Sequence, residues 1–176
     1  MKRIALFLAA LVSLATPSLA HPGHLAAQGA LHGFMHPLSG VDHLMVMVAV
    51  GLFAVQLGGR ALYAVPATFM VVMALGGALA VSGVALPFVE IAIALSVLVM
   101  GAAVAFGARM NTALAMALVG TFALFHGHAH GSEMPLDASG LAYGLGFMSA
   151  TAMLHVAGIA LAYLLPIRKG LRLAQS

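Results

Sequence analysis

Five long stretches of this chain, at about 31–57, 61–82, 86–107, 110–127 and 140–165, are apolar and hold only Asp42 and Glu90 as ionised groups. A hydrocarbon core of about 30 Å takes about 20 residues of helix, so each stretch is long enough to cross it, the fourth barely. A lipid bilayer is therefore the first partner the sequence implies. Charged residues make up 6% of the chain and hydrophobic ones 63%, against about 25% charged in soluble domains, too little to cover a water-facing surface. That excludes a soluble enzyme, and the same hydrophobic content excludes a disordered chain. Seven Lys/Arg against four Asp/Glu leave a net charge of +3, which is an orientation charge and no footprint for nucleic acid. The expected fold is an all-α integral membrane protein, a small polytopic bundle of about five transmembrane helices.

The amino terminus reads as a processing segment. Lys2 and Arg3 precede an apolar run from Ile4 to Ala15, and Ser18 and Ala20 fit the small-x-small rule of signal peptidase. Residues 1–20 are thus expected to be a cleaved signal peptide, and 21–176 a single transmembrane domain. Cleavage exposes His21-Pro22-Gly23-His24 on the outer side, where the α-amine and two imidazoles offer weak metal capture. From an external start, five spans place Arg60, Arg109, Arg168, Lys169 and Arg172 inside, as the positive-inside rule requires. The carboxyl terminus is then cytoplasmic.

Nine histidines stand beside eleven charged residues, and two clusters hold most of them. In the first, His32, His36 and His43 fall on one stripe of a continuous helix, with Asp42 about 100° round. Pro37 and Gly40 predict a kink between His36 and Asp42 that could swing the carboxylate toward that stripe. Imidazoles with a carboxylate suit a divalent transition-metal ion, although Asp42 could instead pair simply with His43. The second cluster is His126-Gly-His128-Ala-His130-Gly-Ser-Glu133. His126 and His130 face one way, and His128 falls on the far side or in an unwound turn, because alternating His and small residues are poor helix material. A solvated loop is the bland alternative here, weakened because His126 still lies within the apolar stretch. A His-Gly-x2-His pattern recurs at 32–36 and 126–130.

Glu90, near the outer end of the third stretch, is either a further ligand or an acid reaching for the interface. His155 lies deeper. Together these groups form a ladder from His21 and His24 inward, of the kind that passes an ion between several weak sites. The absence of cysteine leaves nitrogen, oxygen and thioether as ligands. Met35 and Met134 flank the clusters but form no Met-x3-Met pair there, which ranks copper below imidazole-loving ions. The remaining methionines are apolar filler. Gly76-x3-Ala80, Gly101-x3-Ala105, Gly140-x3-Gly144 and Gly146-x3-Ala150 are helix-packing signals. No Gly-x4-Gly-Lys-Ser/Thr loop is present, so the chain has no nucleotide site of that type.

The run His36-Pro-Leu-Ser-Gly-Val-Asp42-His43 and the run Phe125-His-Gly-His-Ala-His-Gly-Ser-Glu133 closely resemble motifs of the HupE/UreJ family of nickel/cobalt permeases. The signal peptide, the His-Pro-Gly-His terminus and the stretch Gly146–His155 also look like that family. By this resemblance His36, Asp42 and His43 take the role of its His-x5-Asp-His element. His126, His130 and Glu133 take that of its His-Gly-x-Ala-His-Gly-x-Glu element, and His128 fills a variable position. The resemblance implies secondary uptake of Ni²⁺ or Co²⁺ across a bacterial inner membrane for hydrogenase or urease assembly, with no prosthetic group. A homo-oligomer and an outer-membrane or periplasmic metal donor are compatible with it. The rival classes are an integral-membrane metalloenzyme and a metal-binding accessory protein using the same clusters.

Overall fold

The computed structural model describes residues 29–134 and 139–164, and every element among them is helical. The elements are α1 (Gly29–Ser39), α2 (Val41–Leu57), α3 (Ala61–Val81), α4 (Val89–Ala105), α5 (Thr112–Ser132) and α6 (Ser139–Leu164). The signal peptide, His21, His24 and the basic tail from Arg168 lie outside the described residues.

Helices α3, α5 and α6 are long and apolar enough to cross a membrane, and α1 with α2 makes a fourth candidate if the pair is one broken span. The first apolar stretch is therefore not a single kinked helix. Pro37 lacks the amide that would bond one turn back, and Gly40 is extended (φ −94°, ψ 114°), so α1 and α2 meet at 84°. Local groups satisfy the broken ends: Ser39 Oγ donates to the His36 carbonyl at 2.7 Å, and the His43 amide donates to Asp42 Oδ1 at 2.8 Å. The third stretch yields α4, only 17 residues long, or about 25 Å of helix. Five full-length crossings are thus not what the helix lengths alone support.

Packing rests on glycines at close approaches. The most extensive pairings join α3 to α5 and α1 and α2 to α6. A Cβ on Gly127 would strike the Met73 carbonyl, and one on Gly33 the Tyr143 carbonyl. Of the expected small-residue signals, Gly76 and Gly146 do this work, against Leu124 and Ala30. Helix α5 runs on through the second histidine cluster to Ser132. Its Gly127 and Gly131 lie against α3, so the alternation that argued against helix is a helix-packing pattern. Asn111 starts α5, its Oδ1 accepting the Leu114 amide at 2.9 Å.

Candidate metal centre

The break at Gly40 and the glycine face of α5 together decide which histidines meet. Since α5 turns Gly127 and Gly131 toward α3, His126 and His130 face the α2–α6 side, where His43 and His36 arrive from either side of the bend. Two groups of candidate ligands result, His36–His130–Glu133 and His43–His126–His130, each with its ligand atoms within 4.8 Å of one another. His130 belongs to both.

In the first group His36 Nε2 lies 3.1 Å from His130 Nδ1 and 3.1 Å from Glu133 Oε2, and His130 Nδ1 lies 3.4 Å from the same oxygen. Hydrogen bonds can satisfy two edges of this triangle, both imidazoles donating to Glu133, but not all three while Glu133 is ionised and both imidazoles are neutral. If both ring nitrogens carry hydrogen they face each other as donors. If either is bare, its lone pair faces the carboxylate's. A cation satisfies all three edges, since ligands on bonds of about 2.1 Å stand about 3.0 Å apart at right angles and about 3.4 Å apart at tetrahedral angles. Hydrogen bonds from His130 and His36 hold the Glu133 carboxyl well below the usual carboxylate range, against the opposing effect of partial burial. The carboxylate is therefore charged wherever a metal would compete for it.

The second group is buried, with His43 and His126 each 1% exposed. Ser96 Oγ donates to the Ile93 carbonyl at 2.6 Å, so its lone pair accepts from His126 Nε2–H at 2.9 Å. That fixes the tautomer and leaves His126 Nδ1 bare, buried and without a hydrogen-bond partner. His43 Nε2 lies 3.4 Å from Thr151 Oγ1, and its Nδ1 is likewise buried and without a hydrogen-bond partner. Phe147 packs its ring 6.0, 5.0 and 4.7 Å from the rings of His36, His43 and His130, an apolar wall shared by the three imidazoles. Ser96, Thr151 and Phe147 escaped the sequence reading as site residues. For the first two, the only signal was a hydroxyl within an apolar stretch.

The other candidates stand apart. The expected stripe does not form, because the 84° break separates His32 from His43. His32 is exposed on α1 and stacks near His36 and Tyr143. A cavity of about 240 Å³ lined by His32, Met35, His36, Leu38 and Ser39 opens beside it. Asp42 joins neither group, and its carboxylate sits in the first turn of α2, where the helix dipole favours it. His128 turns away and donates from Nε2 to the Val84 carbonyl at 2.7 Å, tying α5 to the α3–α4 loop. Glu90 is exposed in the first turn of α4, outside both groups. His155 is buried within α6 beside Phe69.

Comparison with known proteins gives a consistent result. A family model described as "HupE / UreJ protein" matches residues 9–175. Protein HupE of Rhizobium leguminosarum bv. viciae is 51% identical over 156 residues, covering 88% of this chain and 81% of the relative. No solved structure matches.

Proposed function

Because the chain belongs to the HupE/UreJ family, we propose that it is an inner-membrane permease for divalent transition-metal ions, carrying Ni²⁺, or Co²⁺, inward for a nickel enzyme such as hydrogenase or urease. In this reading α4 completes a fifth crossing, the mature amino terminus is periplasmic after loss of residues 1–20, and the carboxyl terminus is cytoplasmic. The two histidine groups then lie toward the periplasmic side.

The observation that carries the proposal is the frustrated triangle of His36, His130 and Glu133, continued through His130 into the buried pair His43 and His126. A hydrated cation exchanges water for the half-exposed Glu133 and His36. It then trades these oxygen and nitrogen ligands for the buried, unpartnered Nδ1 atoms of His43 and His126. Among the described residues neither group offers more than three ligands, so an ion is held by few bonds at each stage and can be released to the next. The family resemblance is what points to nickel, and neutral imidazole ligands suit it. The membrane potential favours entry by about 2.3 kcal/mol per charge per 100 mV.

The test is uptake of Ni²⁺ into proteoliposomes, followed by inductively coupled plasma detection and competed with Co²⁺, Zn²⁺ and Cu²⁺. Wild-type protein is expected to accumulate Ni²⁺, and His43→Ala to accumulate markedly less. Saturable binding without accumulation would replace the permease with a metal-binding accessory protein.

A further inference from the structure

One buried group lies beyond the five residues just described. His155 is 2% exposed, and neither of its ring nitrogens has a hydrogen-bond partner. Buried polar side chains are hydrogen-bonded in the large majority of cases, and an imidazole serving only to pack would be replaced without loss by an apolar residue of similar size. Its placement is specific. Tyr143, Phe147, Thr151 and His155 follow one another at four-residue intervals on α6, and all four are buried. Phe147 touches the rings of His36, His43 and His130, and Thr151 the ring of His43. His155 is the next position on the same stripe, about 6 Å further along the helix axis than Thr151.

One side chain touches both His155 and the group above it. The ring of Phe69, fully buried on α3, stands edge-on to His155 at 5.3 Å between centroids and 6.0 Å from His126. The backbone around His155 is held close: a Cβ on Gly51 would strike its carbonyl, and one on Gly158 the Val48 carbonyl. Helix α6 cannot slide there, but a phenylalanine ring can change rotamer.

We propose that His155 is an inner metal-binding station, reached from the His43–His126–His130 group only when the ring of Phe69 turns aside. The proposal rests on the permease reading for its direction of travel, but not for the binding itself. Phe69 thus separates two ligand sets along one route, and the deeper one takes a divalent transition-metal ion through a single imidazole, completed by water.

The chain has no cysteine, so His155→Cys introduces a unique thiol, and a thiolate bound to Ni²⁺ absorbs in the near ultraviolet where imidazole and carboxylate complexes do not. Purified His155→Cys protein given Ni²⁺ alone is expected to develop that band, and the same protein carrying His126→Ala to lose it. In parallel, His155→Leu is expected to elute as wild type and to bind Ni²⁺ at the outer triangle, while uptake falls by about tenfold or more. Wild-type uptake by His155→Leu, or no thiolate band from a His155→Cys protein that still transports, would overturn the inner station. Failure of wild-type protein to accumulate Ni²⁺ removes the permease reading instead and leaves the band as the measure of the station.

Discussion

His36 and His130 stand 94 positions apart in sequence, yet His36 Nε2 and His130 Nδ1 lie 3.1 Å from each other. Each ends a His-Gly-x2-His segment, and in each segment the glycine seats the helix against a neighbour's backbone, Gly33 on Tyr143 and Gly127 on Met73. The recurrence noted in sequence is therefore a packing device that delivers two imidazoles to one point. The two segments reach it from different helix pairs, α1 with α6 and α5 with α3.

His130 is shared by both ligand groups, so its loss should do more harm than the loss of any other histidine. His130→Ala is expected to lower Ni²⁺ affinity and uptake by more than about 100-fold, beyond the range that supporting residues usually command. His128→Ala, which removes only a tether to the Val84 carbonyl, should retain uptake. Equal losses from the two variants would show that the burial pattern does not govern function.

Ser96 acts on the metal through His126. Ser96→Ala frees His126 Nε2 from its acceptor and allows the other tautomer, which places hydrogen on the ligand nitrogen. Calorimetric titration of the purified variant with Ni²⁺ should show affinity lower by roughly 10–100-fold with folding intact. Unchanged affinity would mean that the tautomer is set elsewhere.

Asp42 bonds the His43 amide and belongs to neither ligand group. Asp42→Asn keeps an acceptor for that amide, whereas Asp42→Ala leaves the His43 amide without its acceptor and frees His43 to move. Uptake by the asparagine variant should exceed that by the alanine variant. If the two are equally inactive, the negative charge itself is required on the route.

Glu133 gives a pH signature in metal-free protein. Its carboxyl is depressed below the ordinary value of 4.5, first by the hydrogen bond from His130 and then by that from His36. A depressed carboxyl stabilises the fold above its unfolded-state value and loses that contribution as pH falls through the folded-state one. The stability gap between wild type and Glu133→Gln should thus be full at neutral pH and shrink only below about pH 4.5, as measured by thermal unfolding in detergent. Because Glu133 is 47% exposed, the gap should be no more than about 1 kcal/mol. A gap that widens below about pH 4.5 would contradict the assignment.

Packing has its own test. Gly127→Leu sets a side chain where the Met73 carbonyl lies, and it should abolish folded yield in membranes, read by size-exclusion chromatography. Gly59→Ala, at an open turn position with φ 52°, should cost no more than about 1–2 kcal/mol.

The sequence by itself determined that this chain is an all-helical membrane protein, because continuous apolar stretches of about 20 residues, without the short alternating pattern of barrel strands, satisfy their backbone in lipid as helices. It also singled out, by residue type, spacing and family resemblance, candidates that the fold brings together: His36, His43, His126, His130 and Glu133. What it could not decide was their partnership. A helical stripe grouped His32 with His36 and His43 and drew Asp42 toward them, since spacing along one helix assumes that the helix continues. The 84° break at Gly40 leaves His32 exposed and puts Asp42 to work at a helix start. Only the packing of α5 on α3, set by glycines whose lack of a Cβ is read across the interface and not along the chain, turns His130 toward both His36 and His43. Ser96, Thr151 and Phe69 became meaningful for the same reason: each acts through a neighbour on another helix.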